Sequence, residues 1–168
     1  AALAALAGGA TLEGIQTALN QFQGSAHRLE YIDTINTVQY FNDSKATNVE
    51  AVKRALQCFS EPVILIMGGR DKGSDFKDLG PAVREHVKTL IVMGEAAPAI
   101  SSALAQIVPT APASSMQDAV KKAFEASEPG EIVLLSPACA SFDMYDSYAQ
   151  RGDDFRQSVE KIKRNRMA

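Results

Sequence analysis

The chain has 168 residues, 46% of them hydrophobic and 22% charged, and a formal net charge of -3 at pH 7. Such a chain can bury one substantial core with a small appendage, and its slight acidity excludes a general attraction to nucleic acid or anionic membranes. Its two cysteines, Cys58 and Cys139, show neither metal-ligand spacing nor a disulfide framework, and His27 and His86 have no Cys or second His nearby for zinc, so we expect reduced thiols and a cytoplasmic location.

The opening AALAALAGGA falls short of the ~20 apolar residues a membrane helix needs. It lacks a basic leader region, since the first Lys or Arg is Arg28, and it reads as part of an Ala/Leu helix cut from something longer. Residues 11–22 carry Leu12, Ile15, Leu19 and Phe22 at spacings of three and four, which predicts an amphipathic helix with Thr11 as N-cap and Gly24 past its end. Residues 29–35 and 38–41 are β-rich runs on either side of Asn36-Thr37, a hairpin pattern. Val49, Val52, Leu56 and Phe59 then predict a helix over residues 48–59.

A simple unit follows. The apolar runs 63–67, 90–93 and 132–135 end at Gly68-Gly69, Gly94 and Ser136-Pro137, and runs apolar at every position suit strands covered on both faces. Helical stretches are predicted over 79–87, 97–106, 116–126 and 153–164, and a short strand at Ile107-Val108. The basic cluster Lys161, Lys163, Arg164 and Arg166 falls at the end of the last helix, where the dipole favours cations without any nucleic-acid role. Alternating units of this kind predict an α/β fold, an open mainly parallel sheet flanked by helices with an N-terminal hairpin.

In such sheets ligands gather where strands end, which selects NDSKATN (42–48), GGRDKGSDF (68–76) and SPACASFD (136–143). The second misses a nucleotide P-loop, because Ser74-Asp75 stands where Lys-Ser/Thr is required. What remains is either a turn able to hold a carboxylate or phosphate, or an ordinary solvated turn. In the first loop Asp43, Lys45 and Thr47 alternate, so an extended segment presents acceptor, cation and hydroxyl on one side, although capping of the next helix explains part of it. In the third, small residues allow a sharp bend and close approach, and Ser141 can offer its hydroxyl to an anion. A nucleophilic role for Ser141 or Cys139 is the weaker reading, since His86 lies in a predicted helix away from any strand end.

Together with HRLE (27–30) and SPACASFDMYDSYAQRGDDF (136–155), these loops resemble the Rossmann-like C-terminal domain of the Mur ligases, in the family's order and over nearly all of residues 25–168. NDSKATN and SPACAS match the D-glutamate-adding branch. The resemblance implies an ATP-dependent amide ligase of peptidoglycan precursor synthesis. ATP phosphorylates the carboxylate of UDP-N-acetylmuramoyl-L-alanine, and the amine of D-glutamate attacks the acyl phosphate. It implies that Thr47, Lys72 and Ser141 hold the two D-glutamate carboxylates and that Phe142 and Tyr148 line that pocket, departing from the Leu and Phe expected there. Arg28 and Asp43 match positions that reach the nucleotide, at phosphate and ribose, and Lys45 one near the reacting groups; Ala26 stands where Pro is common.

Residues 1–24 look like the last helices of a preceding ATPase domain, and 25–168 like the amino-acid-binding domain. Without a GKT-type P-loop, a Mg²⁺-binding carboxylate set or a uridine-binding domain, the chain is not expected to ligate alone or to hold ATP or Mg²⁺ tightly. The alternatives are another amino-acid-adding ligase such as a folylpolyglutamate synthetase relative, a non-catalytic module for a small anion or nucleotide, and an interaction domain whose loops bind nothing.

Overall fold

The computed structural model describes residues 2–21 and 24–167. Helices α1 (Ala2–Ala7) and α2 (Leu12–Gln21) contain no buried residue, and Leu12 and Leu19 are 73% and 62% exposed. Thr11 caps α2 as expected, its Oγ1 accepting the Gly14 amide at 3.0 Å, while Phe22 lies outside the described residues.

Strands β1 (Glu30–Ile35) and β2 (Val38–Asn42) form the expected hairpin. Asn36 and Thr37 have φ of 51° and 64°, a turn whose twist matches that of the flanking strands. Next come α3 (Val49–Leu56), β3 (Val63–Gly68), α4 (Gly80–His86), β4 (Val87–Met93), α5 (Ala97–Leu104), β5 (Thr110–Pro112), α6 (Met116–Ala126), β6 (Ile132–Leu135) and α7 (Tyr148–Met167). Among the described residues six strands lie in the order β1-β2-β6-β3-β4-β5, with only the hairpin pair antiparallel.

The apolar runs are explained by their alternation. Val63, Leu65 and Met67 of β3, Leu90 and Val92 of β4, and Ile132 and Leu134 of β6 join a core with Val52 and Leu56 of α3, Val83 of α4 and Ile100 and Leu104 of α5. Their neighbours Ile64, Ile66, Ile91, Met93, Val133 and Leu135 join a second core with Val120 of α6 and Phe155 and Val159 of α7. A period of two with both faces covered requires an apolar residue at every position.

Several boundaries differ from expectation. Helix α3 stops at Leu56, because the Cys58 and Phe59 amides bond to carbonyls three residues back and tighten the last turn. The predicted helix over 79–87 divides into a 3₁₀ turn, Phe76–Leu79, and α4, and β-branched Val87 (φ -98°, ψ 123°) already belongs to β4. Ile107 and Val108 form no strand: both amides bond to Leu104 O, wrapping the end of α5, and β5 begins at Thr110. Helix α7 starts five residues before Asp153, because Ser147 caps it by accepting the Gln150 amide at 3.1 Å and Gln150 reaches back to the Asp146 amide at 2.7 Å.

Candidate functional site

Loops 42–48, 68–76 and 136–143 leave the carboxyl ends of β2, β3 and β6, which are neighbours in the sheet. The last two touch along their backbones: Arg70 and Ala140 exchange amide–carbonyl bonds of 2.9 and 3.0 Å. This approach explains the small residues. A Cβ on Gly69 (φ +130°) would lie 2.2 Å from Ala140 O, and one on Gly68 (φ +133°) 1.8 Å from Met93 O. Ala138 adopts a left-handed φ of 59°, which fits strain held at a site by its surroundings.

Arg151, on the second turn of α7, reaches all three loops. It is 2% exposed, and it donates from Nε to Ser44 Oγ (3.0 Å), from Nη1 to Gly68 O and Ala140 O (3.3 Å each), and from Nη2 to Ser44 O (2.8 Å) and Cys139 O (3.1 Å). Burial lowers its pKa to about 10, so it stays charged at neutral pH. Asp143 ties in the β4–α5 turn, its Oδ2 accepting the Glu95 amide at 2.9 Å. Arg70, in the loop read as a possible anion cradle, already forks onto Glu95 with bonds of 3.0 and 2.9 Å.

On the hairpin side of this junction a cavity of about 280 Å³ is lined by Arg28, Leu29, Asp43, Lys45, Ala46 and one face of α3. Arg28, Asp43 and Lys45, chosen from sequence, thus share one space. Asp43 is 7% exposed, with its carboxylate oxygens accepting from the Leu29 amide (3.3 Å) and the Ser136 hydroxyl (2.9 Å). Burial nevertheless pushes its carboxyl above the usual range, and these bonds and the Arg28 charge only partly oppose that. The Lys45 ammonium lies 5.1 Å from the centre of the Tyr148 ring, a cation–π contact. The lead-in turn is also pinned here: His27 O accepts the Lys45 amide at 3.1 Å, and His27 Nδ1 sits 3.0 Å from Asn42 Nδ2.

Thr47, Lys72 and Ser141 occupy the three loops, with no hydrogen bond between them among the described residues. Thr47 is half-buried, Lys72 exposed and Ser141 2% exposed. Asp71 holds the Lys72 turn, accepting the Lys72 and Ser74 amides at 2.7 and 3.0 Å. Phe142 is 61% exposed beside Ser141, and half-buried Tyr148 accepts the Ser44 hydroxyl at its carbonyl, 2.7 Å away. Cys139 is 1% exposed and burial pushes its thiol up to about 12, which makes it a poor nucleophile at neutral pH.

Sequence reasoning overlooked Arg151, whose position was signalled by Ser147-x-x-Gln150, a cap signature that starts a helix beside the strand ends. It also overlooked Arg54 and Cys58, which line the cavity with Ala51 and Ala55. Their spacing of three and four puts them on one face of α3 and of the tightened turn that ends it. Among the described residues no group of three or more His, Cys, Asp or Glu side chains could hold a metal ion.

Residues 27–139 match the family described as "Mur ligase, glutamate ligase domain". The chain is 52% identical over 163 residues, 97% of its length, to UDP-N-acetylmuramoylalanine–D-glutamate ligase of Desulfosudis oleivorans, covering 36% of that protein. It is 49% identical over 149 residues, 88% of its length, to the ligase of the same name from Salinibacter ruber, covering 32%. The chain therefore spans about a third of the length of these curated relatives. Its fold is that of the MurF ligase from Thermotoga maritima in complex with ADP (TM-score 0.64, 16% identity, 95% of this chain and 37% of that one). A bifunctional folylpolyglutamate synthase/dihydrofolate synthase from Yersinia pestis shares it (TM-score 0.64, 14% identity, 88% and 34%).

Proposed function

The chain belongs to the Mur ligase family through its glutamate ligase domain, and from that premise we propose that it is the D-glutamate-binding part of an ATP-dependent ligase. The full enzyme joins D-glutamate to UDP-N-acetylmuramoyl-L-alanine in peptidoglycan precursor synthesis. In this reading residues 25–168 are the ligase domain and 1–24 the end of a preceding ATPase domain, which supplies the triphosphate loop and the Mg²⁺ ligands. The enzyme works in the cytoplasm; among the described residues no helix is long and apolar enough to cross a membrane.

The observation that carries the reading is the cavity in which Arg28, Asp43 and Lys45 meet, beside loops fastened to one another by Arg151. Arg28 serves a phosphate and Asp43 a ribose hydroxyl. Lys45, drawn off the Tyr148 ring, neutralises charge near the reacting groups. ATP supplies the phosphoryl group that lets phosphate, in place of oxide, leave from the acceptor's carboxyl carbon as the amide bond forms. Thr47, Lys72 and Ser141 hold the carboxylates of D-glutamate, with Phe142 and Tyr148 against its side, so that its amine is presented in one orientation. The protein's contribution is positioning and charge neutralisation.

The test is a ligation assay with the full-length enzyme, with UDP-N-acetylmuramoyl-L-alanine and ATP held constant and the amino acid varied. D-Glutamate should support amide formation and L-glutamate should not. Preference for L-glutamate, a diamino acid or a folate-type acceptor would overturn the reading.

A further inference from the structure

The five N–H groups of Arg151 are all spoken for, and four of their five acceptors are main-chain carbonyls. No carboxylate is among them. A cation buried against neutral partners is a poor device for stability, since an apolar side chain would fill the space without desolvating a charge. What the fork does fix is where backbones lie. Ser44, gripped at both hydroxyl and carbonyl, stands between Asp43 and Lys45. Ala140 directly precedes Ser141. Gly68 opens the loop that carries Lys72. Ser44 Oγ in turn donates to the carbonyl of Tyr148, three residues before Arg151 on the same helix. The grips therefore fall on both the nucleotide side and the amino-acid side of the site.

We propose that Arg151 is a positioning residue that locks loop 42–48, which carries Asp43, Lys45 and Thr47, to loops 68–76 and 136–143, which carry Lys72 and Ser141, so that ATP and D-glutamate both depend on it. In its kinetic part this rests on the ligase reading above. A planar guanidinium is required: lysine keeps the charge but presents one point and cannot span three loops. Buried and with all five N–H groups bonded within the protein, the guanidinium has none left for a substrate, so its effect travels through the placement of Lys45, Thr47, Lys72 and Ser141.

The experiment compares Arg151→Lys and Ser44→Ala with the wild type in the full-length enzyme, well below each variant's melting temperature. Two measurements are made: amide hydrogen exchange, and the KM values for ATP and D-glutamate. In Arg151→Lys, exchange should quicken in all three loops together while β3 and β6 keep their protection. Both KM values should rise by about tenfold or more, with a smaller rise of both in Ser44→Ala. Arg151 would be merely structural if melting temperature fell while both KM values stayed within about twofold of wild type. Exchange confined to one loop would equally overturn the lock. If Arg151→Lys fails to fold, Ser44→Ala decides by the same criteria. A wild-type enzyme that does not ligate D-glutamate defeats the ligase reading instead, and the exchange pattern still decides for or against the lock.

Discussion

Gly152→Ala sets two physical effects of opposite sign against each other. Gly152 lies inside α7, where alanine is intrinsically favoured by ~1 kcal/mol. A Cβ there would meet His27 Nδ1 at 2.3 Å and Asn42 Nδ2 at 2.9 Å. Both neighbours are buried, His27 at 9% and Asn42 at 0% exposure, and they face each other at 3.0 Å. Moving the imidazole parts its buried Nδ1 from the Asn42 amide, which keeps the Glu30 carboxylate and Gly152 carbonyl as acceptors, and so costs ~1–3 kcal/mol at the histidine, while overpacking adds ~1–3 kcal/mol. The balance is a destabilisation of about 3 kcal/mol, or a Tm lower by about 6–12 °C for a chain of this size. Urea unfolding of the chain measures it directly. The clash also identifies its own relief: His27→Ala and Gly152→Ala should be non-additive, the double variant recovering ~1–3 kcal/mol of the summed cost. A Gly152→Ala protein as stable as wild type, or more so, would refute the argument, since helix propensity would then have prevailed.

Lys72→Ala in the full enzyme should raise the KM for D-glutamate by roughly ten- to a hundredfold, the value of a charge-assisted bond, with the KM for ATP little changed; steady-state kinetics with each substrate varied decides it. Iodoacetamide should label exposed Cys58 in the native protein and spare Cys139 until unfolding, as read by peptide mass spectrometry. Bound ATP should slow that labelling, because Cys58 lines the cavity assigned to the nucleotide. Burial pushes the Glu30 carboxyl up, but the His27 amide and Arg156 outweigh it and hold the group below its ordinary value of 4.5. The stability it contributes is therefore present above pH 4.5 and is lost as pH falls through the lowered value. The urea midpoint of Glu30→Gln should accordingly converge on that of wild type in acid and diverge from it near neutrality. Asp43, whose carboxyl is raised, works in the other direction: its protonation favours the folded state.

The strands were legible in the sequence because apolar residues at every position have one economical explanation, a sheet covered on both faces. β6 and α6 follow the predicted residues 132–135 and 116–126, and the Asn36-Thr37 turn lies where the β-rich runs break. Boundaries at 59, 87, 107 and 153 were misread for local reasons that periodicity does not carry. Such reasons include a tightened helical turn, a helix passing straight into a strand at Val87, amides folded back on Leu104, and a cap six residues before an acidic pair.

The three loops, too, could be picked out from the sequence, since Asp43, Lys45, Thr47, Lys72 and Ser141 all follow predicted strands. How they are held together could not. Sequence order determines which strand a loop leaves, because each element's period is set by residues close along the chain. That β2, β6 and β3 lie side by side follows only from the order of strands in the folded sheet. Arg151 lies 107 residues from Ser44 and 83 from Gly68. No pattern of neighbours announces that one guanidinium will collect carbonyls from three crossovers. Only the packed fold, which excludes water from the guanidinium and leaves its N–H groups in need of acceptors, brings that contact about.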